Sequence, residues 1–387
     1  MKPEDFNANA AGRVVRSRLG YWAFLPDPLE PALSLDIPLV GVLSRADRAL
    51  SKLAGIARTL PNPHLLIRPF MRREAVLSSR IEGTQASLSD LFFFETAHPV
   101  EPVVPDVREV ANYVGALEYG IARLSDLPLS LRLIREMHKH LMQGVRGGTQ
   151  TPGEFRRTQN WIGPPGCTLM DATYVPPPVD EMIEALGLFE KYLHNESQLP
   201  PLIRVALIHY HFEAIHPFLD GNGRIGRLLI ALLLCSGGLL PQPMLYLSAY
   251  FERHRAQYYH LLLGVSQRGE WIEWIRFFLE GIEVQSLDAI TRSDHLLTLW
   301  SAYRTRMQEA RASGLLLGLV DQLFSYPAIT TKKAAELLEV TQRSAQLNIN
   351  KLVDAGILVE ATGQKRNRVY VAQEIISTIE RGEMTVE

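Results

Sequence analysis

Apolar residues recur at helical spacing along most of the chain. Leu43 to Leu60 carries such a pattern and stops before Pro61-Asn62-Pro63. Ile67 to Glu82 follows, and Gly83 suits the position just past a helix end. Gln85 to Phe94 reads as a short helix with Phe92, Phe93 and Phe94 turned to the core. After a proline-rich linker, His98 to Pro105, come helices over Asp106–Leu124 and Leu129–Met142. Between Gly153 and Pro178 the period breaks. Arg157 to Gly163 and Thr173 to Pro176 bracket Pro164-Pro165-Gly166, which predicts a β-hairpin. Helices resume over Val179–Leu193 and Leu202–Ala214. The run Leu228 to Cys235 predicts a buried helix starting near Gly223 or Arg224. Leu245–Val265 and Trp271 to about Gln308 read as helices, the last polar toward its end like a spacer. Residues 1–40, with prolines at 26, 28, 31 and 38, read as an irregular arm packed down by Tyr21, Trp22 and Phe24. The fold class is mainly α.

From Gly314 the order changes. Leu315–Phe324 and Lys332–Leu338 are predicted helices, the second started by Thr331. After the turn Val340-Thr341 comes the helix Gln342–Ala355. Strands Ile357–Ala361 and Arg368–Val371 flank Thr362–Asn367. Thr331 to Gly356 resembles the helix-turn-helix of winged-helix regulators. Gln342, Arg343, Gln346 and Asn348 are side chains of the kind that read base edges, and Lys365, Arg366 and Arg368 put positive charge on the wing. Seven basic residues against five acidic ones over 315–371 is a small surplus for a DNA binder. Two readings stay open: contact with DNA, or a protein-interaction and dimerisation module that would make the chain a homodimer. The predicted divisions are 1–105, 106–313 and 314–387.

Composition narrows the class. The 387 residues are 47% hydrophobic and 21% charged, with a net charge of −2, so the whole chain is no polycation seeking nucleic acid. Two cysteines, Cys167 and Cys235, lie far apart, which points to a reducing compartment and away from a cysteine-built metal site. Arg13, Arg16 and Arg18 have no apolar segment behind them, so no secretory leader is expected. The longest apolar run falls far short of the ~20 residues a membrane helix needs. A cytoplasmic protein without a membrane partner is expected.

The chemistry is concentrated in His216-Pro217-Phe218-Leu219-Asp220-Gly221-Asn222-Gly223-Arg224-Ile225-Gly226-Arg227. Gly221 and Gly223 let an anion approach the backbone closely. The first turn of the following helix offers free N–H groups and the positive end of its dipole, a phosphate site. Arg224 and Arg227, three apart, share a helix face and can grip one polyphosphate. Asp220 is an oxygen ligand of the kind Mg²⁺ favours beside phosphates, and His216 can take a proton near pH 7. Together these are parts of a phosphoryl- or nucleotidyl-transfer site. Gly221, Gly223 and Gly226 also satisfy a dinucleotide fingerprint. It lacks its preceding strand, and no acid lies at positions 240–250. His138, His140, His209 and His211 are read as packing or hydrogen-bonding residues, since helix spacing turns residues two apart to different sides.

Every specified position of 216–227 matches the Fic family motif, His-x-Phe-x-(Asp/Glu)-Gly-Asn-Gly-Arg-x-x-Arg, so the chain resembles that family. The resemblance implies a helical core with a small β-hairpin flap and transfer of AMP from ATP to a protein hydroxyl. It implies that His216 is the base and that Asp220 holds Mg²⁺. Gly221, Asn222 and Gly223 would line the phosphate cradle, with Arg224 and Arg227 on the outer phosphates. The related Doc branch phosphorylates and has Lys in place of the second glycine of the motif; Gly223 favours adenylylation. Ser78-Ser79-Arg80-Ile81-Glu82-Gly83 resembles the family's inhibitory motif, (Ser/Thr)-x-x-x-Glu-(Gly/Asn). By that likeness Glu82 pairs with Arg227 and obstructs the γ-phosphate, and Ser78 supports the helix near Asn222. Asn160, Trp161, Ile162 and Gly163 would form the flap edge that receives the target protein as an added strand. Removal of AMP, another nucleotidyl or phosphoryl transfer, or a DNA-binding regulator using the core as nucleotide sensor are the alternatives.

Overall fold

The chain opens with a hairpin. In the computed structural model, which describes residues 1–59, 63–97, 105–145, 151–364 and 367–381, β1 (Gly12–Arg16) pairs antiparallel with β2 (Trp22–Pro26). This corrects the irregular arm expected over 1–40. Pro26 closes the ladder opposite Gly12 and the other prolines lie beyond it, so they break no pairing. Tyr21, Ala23 and Phe24 are buried, whereas Trp22 is exposed and does not pack the arm down. The Phe24 N–H donates to the Val175 carbonyl at 2.9 Å, which ties the hairpin to the base of the flap.

The helical body follows. α1 (Ile37–Thr59) starts earlier than its apolar pattern, because Asp36 Oδ1 accepts from the Leu39 N–H at 2.8 Å and Pro38 fits a first turn. The breaker at 60–62 and most of the linker, 98–104, lie outside the described residues. α2 (His64–Ile81), α3 (Leu88–Ala97), α4 (Pro105–Arg123), α5 (Leu131–Leu141) and α6 (Val179–His194) come next. α7 (Pro201–Ile215) and α8 (Asn222–Ser236) are buried on nearly every side, as helices apolar all round must be. The single helix expected over Leu245–Val265 divides at His254 into α9 (Ser248–Arg253) and α10 (Arg255–Arg268). α11 (Trp271–Glu309) runs 39 residues and lies along α1.

The C-terminal elements are α12 (Gly314–Ser325), β3 (Ala328–Thr330), α13 (Thr331–Leu338), α14 (Gln342–Asp354), β4 (Val359–Glu360), β5 (Val369–Val371) and α15 (Gln373–Glu380). The strands form an antiparallel sheet in the order β3-β5-β4. Thr330 and Thr341 cap α13 and α14. Two of the four proposed base-reading residues are otherwise engaged. Asn348 is buried and donates to Ser344 O, and Gln346 is held by Thr331, Asn350 and Tyr370. Gln342, Arg343 and Arg368 remain exposed. Lys365 and Arg366 lie outside the described residues.

These elements share one hydrophobic core with the body and pack directly on α2 through α12 and α15. Arg292 on α11 fixes the junction. It is fully buried, paired with Asp288 at 2.8 Å, and donates to the carbonyls of Thr378, Ile379 and Arg381 at the end of α15. Arg292→Ala would strand those carbonyls and take one cation from the buried Asp288, which keeps Arg73 at 3.3 Å. A loss of about 3 kcal/mol in urea unfolding is expected, whereas an unchanged midpoint would show that the junction carries no stability.

Candidate active site

The site is built where α7 ends and α8 begins. His216 sits at the end of α7 in a left-handed conformation, φ 48° and ψ 61°, which costs a non-glycine residue roughly 1 kcal/mol or more. Its carbonyl is held by two donors, Arg156 Nε at 3.0 Å and Asn160 Nδ2 at 3.2 Å. Asn160 Nδ2 also donates to Phe218 O at 2.7 Å, and the Asn222 amide spans the loop by bonding both Phe218 N and Phe218 O at 2.8 Å. Gly221 turns the chain into α8 at φ 80°.

The His216 ring is fixed in one tautomer. Nδ1 donates to Glu213 O at 3.2 Å, which leaves Nε2 as the unprotonated nitrogen. Burial pushes the imidazole down to about 4, against the raising effect of its bond to Glu213. His216 is therefore neutral near pH 7, as a proton acceptor must be.

Glu82, just past α2, occupies the entrance to α8. Its Oε1 accepts from Arg227 Nη2 at 2.7 Å, while Arg227 also donates to the Ser78 hydroxyl at 2.8 Å and the Ser78 carbonyl at 2.9 Å. Ser78 thus acts on Arg227; the expected support near Asn222 is not what its hydroxyl provides. A methyl group at Gly223 would lie 2.4 Å from Glu82 Oε1, so the carboxylate rests on the first turn of α8. Burial alone would raise the Glu82 carboxyl. The charge and hydrogen bond of Arg227, with Arg224 and His216 behind, outweigh burial and hold it below the usual range. Gly83, at φ 101°, lets the chain turn away.

Arg224 is buried and points elsewhere than a free phosphate clamp would. It pairs with the buried Glu109 at 3.2 Å and with Asp220 Oδ1 at 3.4 Å. Asp220 is half-exposed, 45% for its side chain, and lines the cavity. Among the described residues no group of three or more His, Cys, Asp or Glu could hold a metal. A single carboxylate fits Mg²⁺ only if phosphates and water complete its shell.

The flap is slighter than predicted. Its strands meet at a single bridge, Ile162 to Tyr174. Trp161 and Ile162 are exposed, and with Gly163 they line the cavity; Gly163 has no room for a side chain beside Cys167. Asn160 is a correction. It is 9% exposed and turned inward onto the His216–Phe218 loop, so it cannot meet a docking partner. The cavity, about 650 Å³, runs from Glu82, Gly223 and Arg227 past His216 to Tyr258, Tyr259 and Leu262.

Several supporting residues carry no motif signal. Arg156 and Glu109 act on backbone or charge brought near only by the fold. His138 is buried, accepts the Gly153 N–H at Nδ1, donates from Nε2 to Asp220 O and stacks on Phe218 at 3.7 Å. His209 likewise bonds Gly226 O and the Tyr258 hydroxyl.

The fold and site define a helical protein in which a glycine-marked helix start is covered by the chain's own carboxylate, Glu82. Residues 40–122 match the Fic/DOC family N-terminal model and residues 128–234 the Fic/DOC family model. The chain belongs to the Fic/DOC family. Curated proteins named Protein adenylyltransferase Fic, from Drosophila grimshawi and Drosophila erecta, are 33% and 30% identical over 208 residues, or 52% of this chain. The matched region spans only 39% and 38% of those relatives' length. Of the solved structures, a Fic family protein from Desulfovibrio desulfuricans G20 has a TM-score of 0.58 at 17% identity, covering 89% of this chain and 98% of its own. Fic-1 from C. elegans has a TM-score of 0.53 at 24% identity, covering 67% and 75%.

Proposed function

We propose that the chain is a protein adenylyltransferase that moves AMP from ATP to a hydroxyl side chain of a target protein, with Glu82 as its brake. The observation that carries this reading is that His216, with Nε2 left free by the Nδ1 bond to Glu213 O, and the Gly223 helix start line the cavity into which Glu82 reaches. The name shared by its curated relatives supports it.

ATP would lay its phosphates on the first turn of α8 once Glu82 withdraws, and Arg227 would exchange the carboxylate for phosphate. A Ser, Thr or Tyr hydroxyl then attacks the α-phosphorus. Its proton passes to His216 Nε2, the bond between the α-phosphorus and the bridging oxygen breaks, and pyrophosphate leaves. Mg²⁺ held by Asp220 and the phosphates would offset charge on that leaving group. Gly223 stands where the Doc branch has Lys, which supports adenylyl rather than Doc-like phosphoryl transfer. Glu82→Gly protein incubated with ATP labelled on the α-phosphate should retain the label, and with γ-labelled ATP should not. Retention of the γ-label alone would overturn adenylyl transfer.

Asn160→Ala should remove one of the two donors on the His216 carbonyl together with the Nδ2 bond to Phe218 O, loosening the loop and lowering kcat by about tenfold with KM for ATP nearly unchanged. A matching rise in KM would instead place Asn160 at the nucleotide. The neutral base is lost as pH falls through the folded-state value. The acid limb of kcat/KM should therefore lie near 4, leaving the rate flat from about pH 6 to about pH 7.

The target would dock along the exposed Trp161–Gly163 edge of the flap. The C-terminal elements have winged-helix order and would serve as an interaction module. The exposed Leu347 on α14 favours a protein partner over DNA; a salt-dependent shift of promoter DNA would reverse that preference. Among the described residues no helix is long and apolar enough to cross a membrane, and the free cysteines suit the cytoplasm.

A further inference from the structure

Glu213, on the last turn of α7, has two roles to fill and one is already assigned. Its carbonyl receives His216 Nδ1–H. Its side chain is unexplained. Oε1 is buried and takes no hydrogen bond, an arrangement that proteins rarely leave without a purpose. The carboxyl lies against α8, where a methyl group on Gly226 would come within 2.1 Å of Oε1. No substitution at Gly226 is possible without moving it.

It lines the cavity between Arg227 and Tyr258: its Oε1 lies against Gly226, next to Arg227 in the chain, and His209 joins the Gly226 carbonyl, at 3.0 Å, to the Tyr258 hydroxyl, at 2.9 Å. The Arg227 side is the phosphate end. The far side, Tyr258, Tyr259, Leu262 and Leu263, is aromatic and apolar, as a nucleobase requires. A nucleotide joins those two chemistries through its sugar. The sugar is also the only part of ATP that offers two adjacent hydroxyl donors. Burial pushes the Glu213 carboxyl up to about 8, so near pH 7 it is mostly neutral and does not repel the phosphates beside it. In either state it can accept from a hydroxyl.

We propose that Glu213 is a specificity-determining residue that receives the ribose hydroxyls of the nucleotide. The assignment rests on the reading of the cavity as an ATP site. It makes the enzyme discriminate ribonucleotides from deoxynucleotides by a group outside the motif of 216–227.

The test is calorimetric binding of ATP and of 2′,3′-dideoxy-ATP, with Mg²⁺, to the full chain carrying Glu82→Gly. The same titrations are made after adding Glu213→Ala or Glu213→Gln, with circular dichroism to verify the fold. ATP should bind about 10–100-fold more tightly than the dideoxy analogue, since a site built for a hydroxyl rejects the analogue lacking it. Glu213→Ala should weaken ATP alone and bring the ratio to about one, and Glu213→Gln, which keeps an acceptor, should retain part of it. Equal weakening of both nucleotides, with the ratio intact, would overturn the ribose assignment and leave the ATP site standing. Failure of Glu82→Gly protein to bind ATP at all would overturn both.

Discussion

Replacing His216 by alanine in protein already carrying Glu82→Gly is expected to reduce AMP transfer by about 10²–10⁴-fold, the usual worth of a positioned general base. The geometry makes the loss specific to chemistry. The loop that presents His216 is held through its carbonyl, by Arg156 and Asn160, and through the Asn222 amide bonds to Phe218. None of these bonds uses the imidazole. Nucleotide affinity should therefore stay within about twofold, because a step made only in the transition state lowers kcat without touching ground-state binding. A variant that bound ATP as before and still transferred AMP at full rate would remove His216 from the mechanism.

The opposite change is expected at Glu82. Glu82→Gly should raise transfer by about 10–100-fold, the equivalent of one charge-assisted hydrogen bond that ATP no longer has to displace. Arg227 keeps its two bonds to Ser78 in that variant, so it stays oriented for phosphate. The brake should also resist acid. A carboxylate whose folded value is depressed contributes stability above its unfolded value, and loses it only as pH falls through the lower, folded one. Arg227 holds Glu82 below the usual carboxylate range, so inhibition should persist across neutral pH and fade only in strong acid. Release of wild-type activity near pH 6 would contradict that pairing.

What could be read in advance follows from how local each feature is. The turn from α7 to α8 is written in contiguous residues, and Gly221, Gly223 and the apolar run after them announce it. Glu82 and Arg227 lie 145 positions apart, yet each sits in a short pattern of its own, and the structure brings them to 2.7 Å. Glu109 and Arg156 have no such pattern. Each acts on a group that becomes its neighbour only after folding, so nothing near it in sequence marks it. Asn160 was misread for the same reason. A hairpin sequence shows which residues alternate, and the inward turn of this amide is set by the carbonyls of the loop beneath it. The hairpin over Gly12–Pro26 was missed, because the prolines at 26, 28, 31 and 38 mask a five-residue strand pair whose burial of Ala23 and Phe24 depends on the rest of the fold. Ile375, Ile376 and Ile379 had the spacing of a helix face, and they are the buried side of α15.

The central claim is a transferase whose brake and base act at one cavity. Intact-mass spectrometry of wild type, Glu82→Gly and Glu82→Gly/His216→Ala protein after incubation with MgATP tests it most directly. The account predicts a gain matching AMP in Glu82→Gly protein, little in wild type and none in the double variant. An equal AMP gain in the single and double variants, or a gain matching phosphate in place of AMP, would contradict it.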